Sequence, residues 1–373
     1  MILPGWGILP GQRGPIDTLW CFSCASRIIP RRRARSPYDG LALLPGYWRG
    51  LWGLHAAILA LAWSLAWAPS RKGIRALFIR FALLSVVLVA PPFGSIAWLS
   101  PHLVAGLLYP GWVFLVIALT IVMLASIAAT AYGARQSNLA LVAAMVIVSA
   151  IANFIYTAPA APAKWAAIDT KLGPFPASDA GEFERHQTLI AAARDSIEAR
   201  NKVVVLPEEV AGRWRPAASY WWRDLDAAAE RRSAVVFVGA DLGEGLRFRD
   251  ALVLVGRQYG NVTSRQPIPL GLWRPWSNTR AIAGWIQPGV VQVAGETAAL
   301  SFCYEDLLMW PLLVSMWHRL TVVVSVANDW FGDGLVVRFI KLFTYRSSSS
   351  QNFSIESEPG WRSSRRSRQG FVA

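Results

Sequence analysis

The chain has 373 residues, a length that accommodates two domains. Hydrophobic residues make up 54% of the chain and charged residues 16%, whereas soluble globular chains average about 45–50% apolar and about 25% charged residues. This composition excludes a chain made only of ordinary soluble domains. Because the apolar excess lies almost wholly between residues 41 and 156, we expect a membrane region there.

The formal net charge of +14 is concentrated in three arginine-rich runs, at residues 31–35, 71–80 and 362–368. Basic runs are typical of nucleic-acid-binding surfaces and of the ends of membrane spans. The first two runs flank apolar segments, so they favour anchoring at a lipid bilayer. We therefore expect no direct nucleic-acid binding.

Residues 1–40 are interpreted as an irregular basic leader. They are rich in Gly, Pro and Arg, and their basic run follows a mildly apolar stretch, which is the reverse of the order in a secretory signal. Cys21 and Cys24 form an isolated C-x-x-C pair. Since no second pair of ligands follows nearby, no metal site is predicted there.

The next part of the chain, residues 41–158, is predicted to be an α-helical transmembrane domain with four or five spans. A span needs about 20 apolar residues. Runs with at most one charged residue occupy residues 51–69, 77–91, 93–109, 111–132 and 138–158. Pro101 interrupts the third run, which leaves the number of spans open. Five spans from a cytoplasmic N-terminus place the following domain outside the cytoplasm, and four place it inside.

The composition changes after Tyr156, and the pattern that follows predicts an α/β domain. Helical spacing of apolar residues predicts helices over residues 182–200 and 220–232. Short apolar runs predict strands at residues 203–206, 234–238, 251–255, 290–293, 298–303 and 321–326. Their apolar continuity indicates strands that are buried on both faces.

Residues 346–373 depart from this pattern because they are rich in Ser and Arg. Nothing in them can bury a core. They are interpreted as a disordered tail, or as out-of-frame sequence that follows a truncation.

The first motif with chemical potential places Glu208 directly after the apolar run 203–206 and Pro207. Ligand sites in α/β sheets gather at the carboxyl ends of strands, which makes Glu208 a candidate general base. The alternative is an ordinary solvated carboxylate at the end of a strand.

The second motif places Cys303 at the end of a predicted strand, with Glu305 and Asp306 after it. Asp306 is a suitable N-cap, so a helix is predicted to begin there. A helix N-terminus favours the thiolate form of a nearby cysteine, which makes Cys303 a candidate nucleophile. The alternative is a buried core cysteine.

The third motif, at residues 325–333, is a strand that leads into a polar loop with aromatic residues and glycine. In this order, the three motifs resemble those of the nitrilase (carbon–nitrogen hydrolase) superfamily, and within it the branch of apolipoprotein N-acyltransferases. Glu208 matches the family's glutamate after a strand and a proline, and residues 303–305 match its Cys-Tyr-Glu run. Residues 328–333 match its Asn-Asp-x-Trp-Phe-Gly-Asp loop, one residue shorter.

The resemblance covers roughly residues 165–343 and includes a membrane region ahead of the hydrolase domain. It implies an α/β/β/α sandwich over residues 165–345, here truncated at its C-terminal end. It also implies a multi-pass protein of the bacterial inner membrane, with the catalytic domain on the periplasmic side and no cofactor. A narrower resemblance, to a nitrilase-like membrane protein of plasmid conjugation, rests on residues 91–94 and 109–112.

The resemblance further implies acyl transfer in which Glu208 takes the proton of Cys303 and the thiolate attacks an acyl ester or amide. Glu305 would orient groups at the nucleophile or assist proton movement. The family's lysine, which stabilises the oxyanion, precedes a Pro-x-Pro-x-Gly run that residues 267–271 match. Ser264 falls at the lysine position with Arg265 beside it. Arg265 is thus the candidate for the positive charge, or else a surface or substrate-carboxylate contact.

Two hypotheses follow from the sequence. The first is a membrane-bound carbon–nitrogen hydrolase or N-acyltransferase-like enzyme, supported by Glu208 and Cys303. The second is a catalytically weakened accessory protein that works with a plasmid conjugation machinery, supported by the missing lysine. A transporter would need paired charges within its spans, and Arg80 is the one Lys, Arg, Asp or Glu residue in the predicted apolar runs.

Overall fold

The structure, a computed structural model, describes residues 53, 56–64, 74–96, 102, 105–112, 114–130, 135–157, 162–170, 172–243, 245–269, 271–328 and 353–356. Several predictions lie outside these residues: the leader 1–40 with its C-x-x-C pair, most of the first span, residues 329–333 of the third motif and most of the tail.

The described part of the predicted transmembrane domain is helical, with helical residues at 56–64, a short 3-10 helix at Phe93–Ser95 and four further helices. These four are α1 (Ile74–Val89), α2 (Ala105–Leu108), α3 (Leu115–Thr130) and α4 (Arg135–Ile155). The middle helix α3 contacts both α1 and α4. Its alanines, including Ala125 and Ala128, pack against Leu77 and Phe81 of α1, since small side chains let two helices approach closely.

Within the described residues, one helical segment, Asn138–Ile155, is long and apolar enough to cross a membrane, and only 17% of it is buried. Its outward residues are large and apolar, and Phe154 is 91% exposed. By contrast, α1 and α3 have 16 residues each, which is short of the roughly 20 that a span needs. The described structure thus gives one helix of spanning length where four or five were predicted.

The α/β part contains two sheets. The first has the strand order β1 (Trp165–Ala167), β2 (Val203–Val205), β3 (Val235–Leu242), β4 (Arg247–Gly256) and β5 (Gly260–Thr263), with β6 (Arg280–Ala281) paired to β4. Strands β1, β2 and β3 are parallel, and β4 is antiparallel to both β3 and β5. The carboxyl ends of β2, β3 and β5 therefore lie at one edge of this sheet.

The second sheet has the strand order β10 (Phe353–Glu356), β9 (Val322–Val326), β8 (Glu296–Phe302) and β7 (Val290–Val293). Strands β8, β9 and β10 are parallel, and β7 pairs with β8 as an antiparallel hairpin. Strand β10 lies inside the tail that was predicted to be disordered, so the structure differs from the prediction at residues 353–356.

The two sheets pack face to face, and helices cover the outer faces. One apolar cluster joins Val205 and Phe237 of the first sheet to Leu300 and Val324 of the second. Helices α5 (Asp179–Glu198) and α6 (Pro216–Arg231) pack on the other face of the first sheet, and α7 (Met309–Met316) contacts β8. Strands β2 and β9 are buried along their whole length, which explains their unbroken valine runs. The prediction of a layered α/β domain is confirmed.

Gly239 in the middle of β3 determines how the turn after β2 is placed. A Cβ atom at this position would lie 1.9 Å from the carbonyl oxygen of Pro207 and 2.7 Å from the Cα of Glu208. Both are backbone atoms, so neither can swing aside. The absence of a side chain at residue 239 therefore allows the chain that carries Glu208 to lie directly on β3.

We predict that Gly239→Ala lowers the free energy of unfolding by about 3 kcal/mol, the upper end of the usual cost of overpacking a core. The clash with fixed backbone atoms is the reason, and thermal or denaturant unfolding is the measurement. Gly173→Ala is the matched control, because Gly173 has a positive φ but no atom within 4 Å of the added Cβ. Equal losses in the two variants would contradict the packing argument.

Candidate active site

Glu208 lies just beyond the carboxyl end of β2, between neighbouring strands. It is 7% exposed. The turn is fastened to β3, since the Leu206 N–H donates to the Phe237 carbonyl and the Ala211 N–H donates to the Gly239 carbonyl, each at 2.9 Å. Glu209 takes a positive φ of 49°, a conformation that non-glycine residues adopt mainly where surrounding structure enforces it. The carboxylate predicted as the base is thus held in a rigid, buried turn.

Three further carboxyl groups surround Glu208 and form what we call the acidic cluster, defined as Glu208, Glu209, Asp241 and Asp250. Asp241 on β3 and Asp250 on β4 face each other in register. The Asp250 carboxyl interacts with Glu208, and the Asp241 carboxyl interacts with Glu209; both interactions raise the pKa of the aspartate. A raised pKa favours the protonated form of Asp241 and Asp250.

Burial raises the pKa of Asp250 well above its ordinary value, and the charges of Glu208 and Glu209 raise it further. Asp250 is 1% exposed, and no N–H or hydroxyl donor among the described residues faces either of its oxygens. The pKa of Asp241 is raised by the same causes, and the nearby Arg213 only partly opposes them. The acidic cluster is therefore compensated mainly by protons rather than by cationic side chains.

Oxygen atoms of Glu209, Asp241 and Asp250 lie within 4.8 Å of one another, the one group among the described residues with ligand atoms close enough for a metal ion. Acidic groups are often close together without binding a metal. The raised pKa values of Asp241 and Asp250 favour protonated carboxyl groups, which are poor metal ligands, so we assign no metal to the acidic cluster.

Cys303 follows the carboxyl end of β8 and opens a 3-10 helix, Cys303–Leu307. It is half-buried, and its φ is +33°, a left-handed conformation that is strained for cysteine. Such strain is common where a side chain must be presented to a substrate. The structure thus places Cys303 on a tight turn at a strand end, and its role as nucleophile stays a prediction.

The prediction that a helix begins at Asp306 is wrong. Helix α7 begins at Met309 with Leu308 at its N-cap. The Asp306 carboxylate instead accepts hydrogen bonds from Ser301 and Ser325, both at 2.5 Å, and so joins the ends of β8 and β9. Because the carboxylate is used between strands, it is not available to cap a helix, and the helix-dipole argument for the thiolate no longer holds.

Tyr304 connects the nucleophile turn to the helical part of the chain. Its hydroxyl donates a hydrogen bond to the Ser95 carbonyl at 2.9 Å. Burial raises the pKa of this hydroxyl far above its usual value, so it stays a donor at any physiological pH. The position of the turn therefore depends on residues outside the α/β domain.

Glu305 is buried at the centre of a dense network. It is 1% exposed, and its Oε1 atom accepts hydrogen bonds from the Ser264 hydroxyl at 2.8 Å and from the backbone N–H groups of Arg265 and Gln266 at 2.5 and 3.0 Å. Its Oε2 atom forms an ion pair with Arg265 Nη2 at 3.0 Å. Both carboxylate oxygens of Glu305 therefore accept hydrogen bonds from the segment 264–266.

Arg265 is 2% exposed. Apart from Glu305, its guanidinium donates to the carbonyls of Leu300 and Pro311, at 2.9 and 2.7 Å, and to the hydroxyl of Ser315 at 2.6 Å. These contacts bind β5 to β8 and to α7. The catalytic role predicted for Arg265 stays a prediction, and its contacts are those of a residue that holds the protein's own backbone.

A continuous path of contacts links the two principal motifs. Glu208 interacts with the Asp250 carboxyl, the Asp250 backbone carbonyl accepts the Ser264 N–H at 2.8 Å, and Ser264 donates to Glu305, two residues after Cys303. The structure thus brings the predicted residues to one edge of the sandwich. The sequence reasoning did not identify Asp241 and Asp250, although an acid directly before the apolar run 251–255 was an available signal.

Relatives of known sequence agree with the predicted resemblance. The chain is 28% identical to the conjugal transfer protein TraB of Agrobacterium fabrum over 269 residues, which are 69% of this chain and 60% of that protein. It is 29% identical to the probable conjugal transfer protein TraB of Sinorhizobium fredii over 262 residues, 68% of this chain and 65% of that protein. The chain thus spans under two thirds of the length of these two relatives.

A third relative is the apolipoprotein N-acyltransferase of Methylococcus capsulatus, which is 28% identical over 150 residues, 36% of this chain and 30% of that protein. With the two TraB proteins, it confirms the resemblance that the motifs predicted. No protein-family model matches the chain.

Solved structures similar to this chain include an amidase from Nesterenkonia sp., with 14% identity, a TM-score of 0.37 and coverage of 52% of this chain and 74% of the amidase. A mutant of that amidase, with the acetamide moiety of fluoroacetamide at its active-site cysteine, has 13% identity, a TM-score of 0.40 and coverage of 54% and 79%.

We predict that Asp250→Asn stabilises the protein at pH 8 and does so less at pH 5. A carboxyl whose pKa is raised in the folded state keeps its proton where the unfolded chain has lost it, so the free energy of unfolding falls as the pH rises above about 4. The amide of the variant has no such titration and still offers a donor to Glu208. A tenfold difference in proton affinity is worth about 1.4 kcal/mol, and the gain at pH 8 should be at least of that size.

Thermal unfolding between pH 5 and pH 8 is the measurement for Asp250→Asn. Asp224→Asn, which removes an exposed carboxylate from α6, is the control and should leave the pH dependence unchanged. A pH-independent effect of Asp250→Asn would show that Asp250 is ionised in the folded protein.

Proposed function

We propose that this chain is a membrane-bound carbon–nitrogen hydrolase or N-acyltransferase-like enzyme, in which Glu208 activates Cys303 for attack on an acyl ester or amide. The observation that carries the proposal is the path of contacts from Glu208 through Asp250, Ser264 and Glu305 to the turn of Cys303. Names of the relatives, which include an N-acyltransferase, support the same chemistry.

In the proposed reaction, the Glu208 carboxylate accepts the thiol proton of Cys303, and the sulfur attacks the acyl carbon to form a tetrahedral intermediate. The leaving amine or alcohol takes the proton from Glu208, which leaves a thioester on Cys303. Water or an acceptor amine then gives a proton to Glu208 and attacks the thioester. The tetrahedral intermediate expels the sulfur, which regains its proton, and the acyl product is released.

The surroundings of Glu208 suit a base. The raised pKa of Asp250 favours a protonated neighbour beside Glu208, which lowers the negative charge that Glu208 would otherwise face inside the cluster. Glu305, in contrast, has donors at both oxygens, so its contacts favour the orienting role over proton transfer. The two glutamates predicted from the sequence thus receive different roles from their environments.

The proposed location is the bacterial inner membrane. The span-length segment of α4 is mostly unburied, and an N-acyltransferase of lipoproteins is among the relatives. Placement of the α/β domain on the periplasmic side and a count of four or five spans are part of this proposal. The substrate class is an acyl ester or amide, and no cofactor is required for the chemistry described.

A second candidate function is that of an accessory protein in plasmid conjugal transfer that keeps the fold but has weak or no activity. Two observations favour it: both of the more similar relatives carry the name TraB, and Ser264 stands where the family resemblance expects the lysine. The two functions differ in whether Cys303 is activated, which a thiol-reactive substrate analogue measures directly.

We predict that an amide-like or ester-like acylating probe labels Cys303 in the membrane-embedded protein, in a background in which Cys21 and Cys24 are replaced by serine. Glu208→Gln should lower the labelling rate at least about 10²-fold, the usual size of general-base catalysis. Cys303→Ala should abolish labelling. Mass spectrometry of the labelled peptide gives the rate and the position.

Glu209→Gln is the matched control, since it removes the adjacent carboxyl of the same turn. It should retain most of the labelling rate if Glu208 is the base. Equal loss in Glu208→Gln and Glu209→Gln would mean that the rate depends on the integrity of the acidic cluster. If Cys303 is not labelled under any condition in the protein that carries Glu208 and Glu209, the enzyme proposal is wrong. The accessory-protein function is then favoured.

A further inference from the structure

Arg265 holds several parts of the fold together through its hydrogen bonds. Its backbone N–H, its Nε and its Nη2 all donate to Glu305. Nη1 donates to Ser315 and Pro311, and Nη2 also donates to the carbonyl of Leu300. Each nitrogen of the guanidinium therefore faces a protein acceptor.

These contacts matter for an oxyanion role because a charge stabilises an oxyanion only if a donor points at it. The acceptors around Arg265 come from its own ion-pair partner, from strand β8 and from helix α7. To reach a reacting carbonyl oxygen, the guanidinium would have to leave the ion pair with Glu305, and the buried Glu305 carboxylate would then lose its counter-charge.

We propose that Arg265 is a positioning residue that acts on Cys303 through Glu305, in place of the catalytic cation that the family resemblance leads one to expect. The inference rests on the proposed function for its catalytic meaning. In this proposal, Arg265 and Ser264 hold the Glu305 side chain in position. Glu305 in turn holds the 3-10 turn that presents Cys303.

The turn is held through Glu305 on two sides. The side chain accepts from Ser264, Arg265 and Gln266 at the end of β5. The backbone carbonyl of Glu305 accepts the Leu308 N–H at 2.9 Å, which closes the turn before α7. Since Cys303 begins this turn with a strained φ of +33°, its geometry depends on the anchor two residues later.

Gly289 is a second observation, independent of the hydrogen bonds, which indicates that the backbone packs closely against the Arg265 guanidinium. A Cβ at this position would lie 2.6 Å from the Cζ atom of Arg265 and 2.8 Å from its Nη1. The chain therefore passes Arg265 without a side chain at the point of closest approach. The Pro288 carbonyl next to it accepts from Nη1 at 3.2 Å.

The two roles of Arg265 predict opposite results for lysine. An oxyanion-stabilising cation is replaced at least partly by the ammonium of Arg265→Lys, which is the residue type of the family. A positioning residue is not, because an ammonium on a flexible stem cannot reproduce the planar set of donors to Glu305, Leu300 and Ser315.

The experiment compares the unmodified protein, Arg265→Lys and Gly289→Ala in the full chain. The readouts are the pH profile of the probe-labelling rate of Cys303 and hydrogen exchange of the amides of Arg265, Gln266 and Leu308. We expect Arg265→Lys to lower the labelling rate at least about tenfold across the pH profile, since small displacements of reacting groups cost up to about 10²-fold. The three amides should exchange faster.

Two controls isolate the effect. Arg257→Lys makes the same chemical change at an exposed arginine and should alter neither readout. Gly295→Ala places alanine at a positive φ of 86° with no atom within 4 Å, so it reports backbone strain without contact with Arg265. Gly289→Ala should slow labelling and deprotect the three amides beyond the effect of Gly295→Ala. This comparison stays decisive if Arg265→Lys does not fold.

Retention of the labelling rate and of amide protection in Arg265→Lys would overturn the positioning role. Amide protection that is retained while labelling is lost would also overturn it, because the cation would then act on the reaction alone. If the unmodified protein is not labelled, the proposed function fails. Amide exchange then still decides whether Arg265 holds the turn, so the two failures are distinguishable.

Discussion

The structure depends on how it stabilises one buried charge, the carboxylate of Glu305. Its side chain is 0% exposed, and that of its partner Arg265 is 2% exposed. Burial of a carboxylate is tolerated only with a counter-charge and a full set of donors. Those donors come from the segment after β5 in the first sheet, whereas Glu305 follows β8 in the second sheet. The ion pair and hydrogen bonds of Glu305 therefore fix the relative position of the two sheets at the edge where the candidate site lies.

A few residues away at the same edge lies an environment of the opposite kind, in which negative charge is disfavoured. The acidic cluster brings four carboxyl groups together, and burial with neighbouring negative charge raises the pKa of Asp241 and Asp250. Ser264 joins the two environments, because its N–H donates to the Asp250 backbone carbonyl and its hydroxyl donates to Glu305. One serine thus lies between an ion-paired carboxylate and a region in which protonation is favoured. Environments that differ in this way assign different chemistry to groups of the same type.

The sequence predicted the strands that are buried on both faces, since their apolar runs leave no other stable placement; β7 was placed at its observed residues, Val290–Val293. It did not predict β1, β5 or β6, which are two to four residues long and owe their conformation to neighbouring strands. It predicted Glu208, Cys303 and Glu305 as site residues from their order along the chain, and their catalytic roles stay predictions. The contacts of Arg265 with Leu300 and Ser315 join residues 35 and 50 positions apart, which no local pattern encodes.

The nucleophile turn also depends on the helical part of the chain. The hydroxyl of Tyr304 reaches the carbonyl of Ser95, and a Cβ on Gly94 would lie 3.1 Å from the ring of Trp310. Residues on both sides of Glu305 are therefore packed against the segment that follows α1. In an isolated α/β domain, the Tyr304 hydroxyl would lose its acceptor, and the indole of Trp310, which is 4% exposed, would become accessible to water. The strained φ of Cys303 persists only while its neighbours enforce it, so the geometry of this turn depends on the helical part of the chain as well as on the α/β domain.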